Sequence, residues 1–237
     1  MPEAGMTIGS RLFADLKSDV LSGRLLPNER LNIDALAEHY AVSLSPLREA
    51  LVRLAATGLI VATDRRGYRV AAPSREDLRD LSRVRRHLEH AALTDAMKYG
   101  DDEWEADIAR ALHVLSKASK GESGRIIYSL EWEARHKEFH RALVSGCGSR
   151  RLLEMWDSIF DQGIRYRQIA QALGLQHGDS SAEHAELFEL VAARDVPRAL
   201  ACIEAHVGVS AEALAGIMDE EMMRGAGRIA ALAAQEA

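Results

Sequence analysis

The stretch Ala41-Val42-Ser43-Leu44-Ser45-Pro46-Leu47-Arg48-Glu49-Ala50-Leu51-Val52-Arg53-Leu54 reads as the turn and second helix of a helix-turn-helix. Ser45 is a good N-cap, because its hydroxyl can accept from an orphan N–H of the first turn. Pro46 then takes the first helical position, where its missing N–H costs nothing. Leu47, Ala50, Leu51 and Leu54 recur at helical spacing and make one apolar face. Ser43, Ser45 and Arg48 gather at the N-terminal end of the other face. That end of a recognition helix enters the major groove of DNA.

The flanks extend the pattern. Asn32 can cap a short helix carrying Ile33, Leu36, Ala37 and Tyr40, and a first helix is expected from Ile8 to Leu21, closed by Gly23 and Pro27-Asn28-Glu29. Downstream, Gly58 sits where a C′ glycine ends the recognition helix. Leu59–Thr63 and Tyr68–Ala71 then read as two short strands, with Asp64-Arg65-Arg66-Gly67 as a basic hairpin tip. Three helices and a basic hairpin make a winged helix-turn-helix, with double-stranded operator DNA as partner. Arg65, Arg66 and Gly67 are expected over the adjacent minor groove or backbone. The span LNIDALAEHYAVSLSPLREALVRLAATGLI, residues 31–60, closely resembles the DNA-binding half of the GntR family of bacterial transcription regulators. Leu44 departs from it, since many members carry arginine there.

Length and composition fit two domains, a winged helix over 1–73 and an all-helical domain over 74–237. Apolar residues make up 47% of the chain and aromatics only 5%, which favours packed helices. The net charge of −6 is unevenly divided. Residues 1–71 carry about +1 and the remainder about −7. Arg48, Arg53, Arg65, Arg66 and Arg69 fall around the proposed groove-facing surface. So small a basic patch needs two copies or specific contacts to bind well, which points to a homodimer. Cys147 and Cys202 make no disulfide framework, and no apolar run is long enough to span a bilayer. A cytoplasmic protein without membrane association is expected.

Ser74 with Asp77 opens the second half as a capping-box-like start. Leu78, Leu81, Val84, Leu88, Ala92 and Ala96 keep helical phase to Tyr99. Further helices are expected near Asp102–Ser119, Ser129–Ser145, Leu152–Leu173, Ala182–Ala193 and Pro197–Met223, as an antiparallel bundle. The fold class is therefore mainly α.

Within this bundle His136 and His140 are four apart and share a helix face. His184 opens another helix, and His206 lies inside a third. Imidazoles from three helices can converge on one ion in a bundle core, and zinc is the commonest partner of such a set. Four helical histidines are also compatible with surface or singly hydrogen-bonded roles.

The second half resembles the FCD ligand-binding domain of the FadR-type GntR regulators. That resemblance rests on Phe139-His140, Glu183-His184 and His206, and it implies a divalent-metal site. The family's aspartate, four residues before the first histidine, is replaced here by His136, so the site loses a negative charge. The resemblance also implies a small organic acid as effector. Arg85, three residues before Leu88-Glu89, is its first guanidinium partner. Arg165 and Arg167 are further candidates. Glu138 and Glu183 are expected to point away from the histidines.

Two functions follow. One is a metabolite-controlled transcription regulator, a repressor by preference, with no enzymatic activity. The alternative is a helical metalloenzyme that uses the histidine cluster to activate water. That alternative leaves the serine- and arginine-bearing helix idle. No phosphate loop, dinucleotide fingerprint or nucleophile elbow is present in the sequence.

Overall fold

The computed structural model describes residues 7–63, 67–118, 129–172, 180–208 and 214. The chain divides into two compact units, with the break between Pro73 and Ser74.

In the first unit, α1 (Ile8–Leu21) is capped by Thr7, whose hydroxyl accepts from the Ser10 amide. Asn32 caps α2 (Ile33–His39) by accepting from the amides of Asp34 and Ala35. α3 spans Leu44–Ala56. Its apolar stripe, Leu47, Ala50, Leu51 and Leu54, is wholly buried against α1 and α2. Burial of each such leucine contributes about 1.5–3 kcal/mol. Ala41, in the turn between α2 and α3, takes a left-handed φ of 50°. Gly58 does so at 75°, as expected of a C′ glycine. The Tyr40 hydroxyl donates to Asp19, which also pairs with Arg24, so a buried carboxylate ties α1 to α2.

Strands β1 (Arg30–Leu31), β2 (Ile60–Thr63) and β3 (Gly67–Val70) form an antiparallel sheet in the order β1-β3-β2. Strand β1 carries no sequence signal, being two residues long. Arg65 and Arg66 lie outside the described residues. Gly67, expected in the tip, is the first residue of β3 and pairs with Thr63, the last residue of β2, at the tip end of the hairpin. A Cβ there would lie 3.2 Å from Thr63 Oγ1, so the glycine leaves room against that side chain.

The start of α3 also differs from expectation. Its N-cap is Ser43, not Ser45, and Pro46 is the third helical residue. Proline is tolerated there too, because the first turn has no intrahelical acceptor for its N–H. The Ser43 hydroxyl makes no cap bond. With Pro46 in place, the third helical residue has no amide to offer it.

The second unit is helical. α4 (Arg75–Tyr99) is capped by Ser74, whose hydroxyl accepts from the Asp77 amide as the sequence implies. It is followed by α5 (Asp102–Ala118), α6 (Leu130–Ser145), α7 (Arg150–Ala172) and α8 (Ser181–Ala192). A ninth helix, α9, is described over residues 196–208, and the expected extension to Met223 lies largely outside the described residues. α4 packs on α6 and α7, α5 packs on α6 and α8, and α6 packs on α7. Trp104, Trp132 and Trp156 are all core residues.

Candidate nucleic-acid interface and metal centre

The N-terminal turn of α3 presents Ser43, Leu44, Ser45 and Arg48 to solvent. Arg48 has no ion-pair or hydrogen-bond partner among the described residues. Two other arginines expected near this surface are otherwise engaged. Arg53 stacks over the Phe13 ring at 4.6 Å, and Arg69 donates to the Asn28 carbonyl.

In the bundle, the interior sides of α6, α8 and α9 bring His136, His140, His184 and His206 together. All four are buried, and each offers a ligand atom within 4.8 Å of the others. Helical periodicity explains the first pair, and packing of three helices supplies the rest. The rings of His140 and His206 are stacked at 5.1 Å, and Trp132 stacks on His136 at 4.4 Å. Burial pushes the His136 imidazole well below the ordinary histidine range, and the neighbouring His140 and Arg167 add to the effect. His140 is likewise pushed down by burial, then by Arg85 and His206. Both are therefore neutral, the form that ligates metal.

The donor set fits a divalent ion. Both ring nitrogens of His136 and Nε2 of His140 are buried without a hydrogen-bond partner. Such orphaned atoms are costly unless something occupies the space between them. His206 Nδ1 lies 2.7 Å from Glu183 Oε2. A bond to a carboxylate places the proton on Nδ1 and leaves Nε2 with its lone pair. Such a carboxylate orients a metal-binding imidazole. This corrects the expectation that Glu183 points away: it points away from its own neighbour His184 and reaches across to α9. The bond from His206 also lowers the Glu183 carboxyl below its usual range. Glu138 behaves as expected, pairing with Arg135 and Arg110 at the surface.

Two arginines close the chamber. Arg85 donates from Nε to Glu89 Oε1 at 2.9 Å, and Trp156 Nε1 donates to the same oxygen at 3.2 Å. Arg85 Nη2 and Glu89 Oε2 are buried with no partner. Burial lowers the Arg85 pKa, with Glu89 acting against it; a guanidinium nonetheless stays charged. Arg167 makes a two-pronged pair with Glu133, at 2.9 and 3.2 Å from Nε and 2.7 Å from Nη2. The Phe160 ring lies beneath both guanidinium groups, at 4.4 Å from Arg85 and 5.3 Å from Arg167. A cavity of about 30 Å³, lined by Ser82, Arg85, Gly163 and Arg167 among others, has room for about one or two waters. Arg165 is not part of this lining. It stacks over Tyr166 at 5.1 Å and lies 3.6 Å from Asp77.

Sequence reasoning missed Glu89 and Glu133 as site residues. The i,i+4 spacing of Arg85 and Glu89 was a usable signal. Glu133 and Arg167 are 34 residues apart and gave none.

A winged helix-turn-helix followed along the chain by a helical domain with a buried polar chamber is the architecture of a one-chain transcription regulator. Residues 8–70 match the family described as bacterial regulatory proteins, gntR family, and residues 80–209 match the FCD domain. The chain belongs to the GntR family of bacterial transcription regulators, with an FCD domain as its second half. It is 37% identical over 196 residues to the HTH-type transcriptional repressor GlaR of Escherichia coli (strain K12), covering 81% of this chain and 89% of that protein. It is 32% identical over 196 residues to the HTH-type transcriptional regulator BphR of Paraburkholderia xenovorans (strain LB400), covering 82% and 80%. Among solved structures, E. coli McbR/YncC shares the fold, with a TM-score of 0.73 at 21% identity over 88% of this chain and 97% of that one. No helix among the described residues is long and apolar enough to cross a membrane.

Proposed function

We propose that this GntR regulator is a cytoplasmic, homodimeric, operator-binding repressor whose hold on DNA is set by a small organic acid bound in the bundle beside one divalent metal, zinc by its ligand set. The observation that carries the reading is the buried four-histidine group with its orphaned ring nitrogens, next to two buried arginines. His136, His140, His184 and His206 would hold the ion, and Glu183 fixes the ring of His206. When bound, the metal supplies a Lewis-acidic positive centre for carboxylate oxygens. Glu89 and Glu133 balance Arg85 and Arg167, and His136 and His140 are neutral. A divalent cation would therefore leave the chamber with excess positive charge, which an anion offsets. Arg85 is the guanidinium with a spare donor, at Nη2. Arg167 is committed to Glu133 and shapes the wall.

On the DNA side, Ser43, Ser45 and Arg48 are the proposed base- and phosphate-contacting residues, with Arg65, Arg66 and Gly67 in the wing. Two copies would read a pseudo-palindromic site, joined through their bundles. A ligand changes operator affinity only if it prefers one arrangement of the reading heads. α4 starts five residues after the end of β3 in sequence and carries Arg85 and Glu89, so it is the proposed lever. The relatives are transcription regulators, and Glu183 is spent on orienting His206 through Nδ1, the ring nitrogen the ion would not use. Both points weigh against the metalloenzyme reading.

Metal analysis of the full chain, purified without added metal, tests the sensing half. One divalent ion per chain, lost in His140→Ala/His184→Ala, is expected. Absence of stoichiometric metal in the parent protein overturns the metal-centred reading and leaves the DNA-binding assignment standing.

A further inference from the structure

We propose that Leu44 is a specificity-determining residue that reads the 5-methyl group of a thymine in the operator. The inference rests on the reading of α3 as the helix that enters the major groove. Leu44 is the first residue of α3 and is 40% exposed, whereas Leu47, Leu51 and Leu54 of the same helix are fully buried. The core does not use it. An exposed leucine is ordinary by itself; its place is what matters. Ser43 and Ser45 flank it, and Arg48 stands one turn further on, all exposed. This is the end of a recognition helix that meets base edges.

The chemistry of the side chain then limits what it can read. An isobutyl group has no donor or acceptor, so it cannot recognise the polar edges of guanine, adenine or cytosine, nor bind a phosphate. The one apolar group that the unmodified major groove displays is the thymine methyl. The polar atoms around Leu44 remain available for neighbouring positions. The Ser43 hydroxyl makes no cap bond. Arg48 can bond a guanine through two donors. Residues four apart on a helix are separated by about 6 Å along its axis, roughly two base-pair steps of 3.4 Å. The arrangement therefore specifies a thymine within about two base pairs of the guanine that Arg48 contacts.

The experiment uses the full chain and the duplex it enriches from a random library. Each thymine of that duplex is replaced in turn by deoxyuridine, which lacks only the methyl. Affinity is measured by fluorescence anisotropy at fixed salt. One thymine, or one per half-site, is expected to weaken binding about fourfold per methyl lost, at ~0.8 kcal/mol for a buried methyl-sized group. In Leu44→Ala that penalty should vanish, while Leu44→Met should keep most of it. Alanine is a strong helix former and the position is exposed, so folding is expected to survive, with circular dichroism as the check. The proposal is overturned if no deoxyuridine weakens the parent protein, or if the same penalty persists in Leu44→Ala. A selection that enriches no sequence removes the DNA-reading assignment beneath it, and the proposal with it.

Discussion

The buried pair between Glu133 and Arg167 gives the most demanding test of the chamber's electrostatics. Glu133 is 1% exposed and Arg167 is 8% exposed, and three short contacts join them. Glu133→Gln keeps the shape and removes the charge, leaving a buried guanidinium uncompensated. Breaking a buried pair this way costs about 3–5 kcal/mol, a large part of the roughly 5–15 kcal/mol that holds a domain folded. All three tryptophans lie in the second unit, at 104, 132 and 156. Tryptophan fluorescence therefore follows the bundle alone and avoids the ambiguity of a two-unit transition. With a urea slope of about 2 kcal/mol/M, the midpoint should fall by roughly 1.5–2.5 M. Arg167→Met in the same chain removes the stranded charge and should restore at least half of that loss. A fall under about 0.5 M for Glu133→Gln would refute the argument. So would a double variant as unstable as the sum of the two singles, because the partners would then be uncoupled.

Acid should destabilise the metal-stripped bundle in a defined window. His136 and His140 have folded pKa values pushed well below 6.5. Below that pH the unfolded chain binds protons that the folded one refuses, so stability falls as pH drops. Above 6.5 both states are neutral and these groups contribute no pH dependence. The slope should approach about 1.4 kcal/mol per pH unit for each histidine, read from urea midpoints at successive pH values. At the DNA interface, Arg48→Ala should cost about 1–3 kcal/mol of operator binding. Replacing Arg65 and Arg66 should flatten the salt dependence by roughly one to two units of slope, both read by anisotropy titrations. Gly100→Ala should destabilise the bundle by about 1–3 kcal/mol or more. Its Cβ would lie 2.3 Å from the Trp104 ring and 2.7 Å from the Ala96 carbonyl oxygen. Thermal denaturation checks it.

Much of the architecture was legible because local chemistry dictated it. Asn32 and Ser74 announced α2 and α4, and both cap as their residue types imply. The apolar stripe of α3 was visible, but its first residue was not. Two serines stand two apart, and a proline is tolerated anywhere in the first turn, so local rules could not choose between Ser43 and Ser45. β1 escaped because a two-residue strand exists only through its pairing with β3. Within the bundle, spacing put His136 and His140 on one face. The approach of His184 and His206 depends on how α6, α8 and α9 pack, which helical spacing allowed but could not fix and which the resemblance favoured. The partners of the arginines were the least legible. Glu133 meets Arg167, and Glu183 meets His206, across helices far apart in sequence. Charges so placed follow from tertiary packing, which leaves no periodic trace.

The central claim is that one buried chamber governs the hold of this protein on its operator. The most direct measurement is the operator dissociation constant of the full chain, titrated with a panel of small carboxylates, for the parent protein and for His140→Ala/His184→Ala. The account predicts that one acid weakens operator binding by the parent protein, by about fivefold or more for a coupling of at least 1 kcal/mol. It also predicts that the double variant binds the operator with an unchanged constant whether or not that acid is present. Release of the double variant from DNA at the same acid concentration would contradict the account.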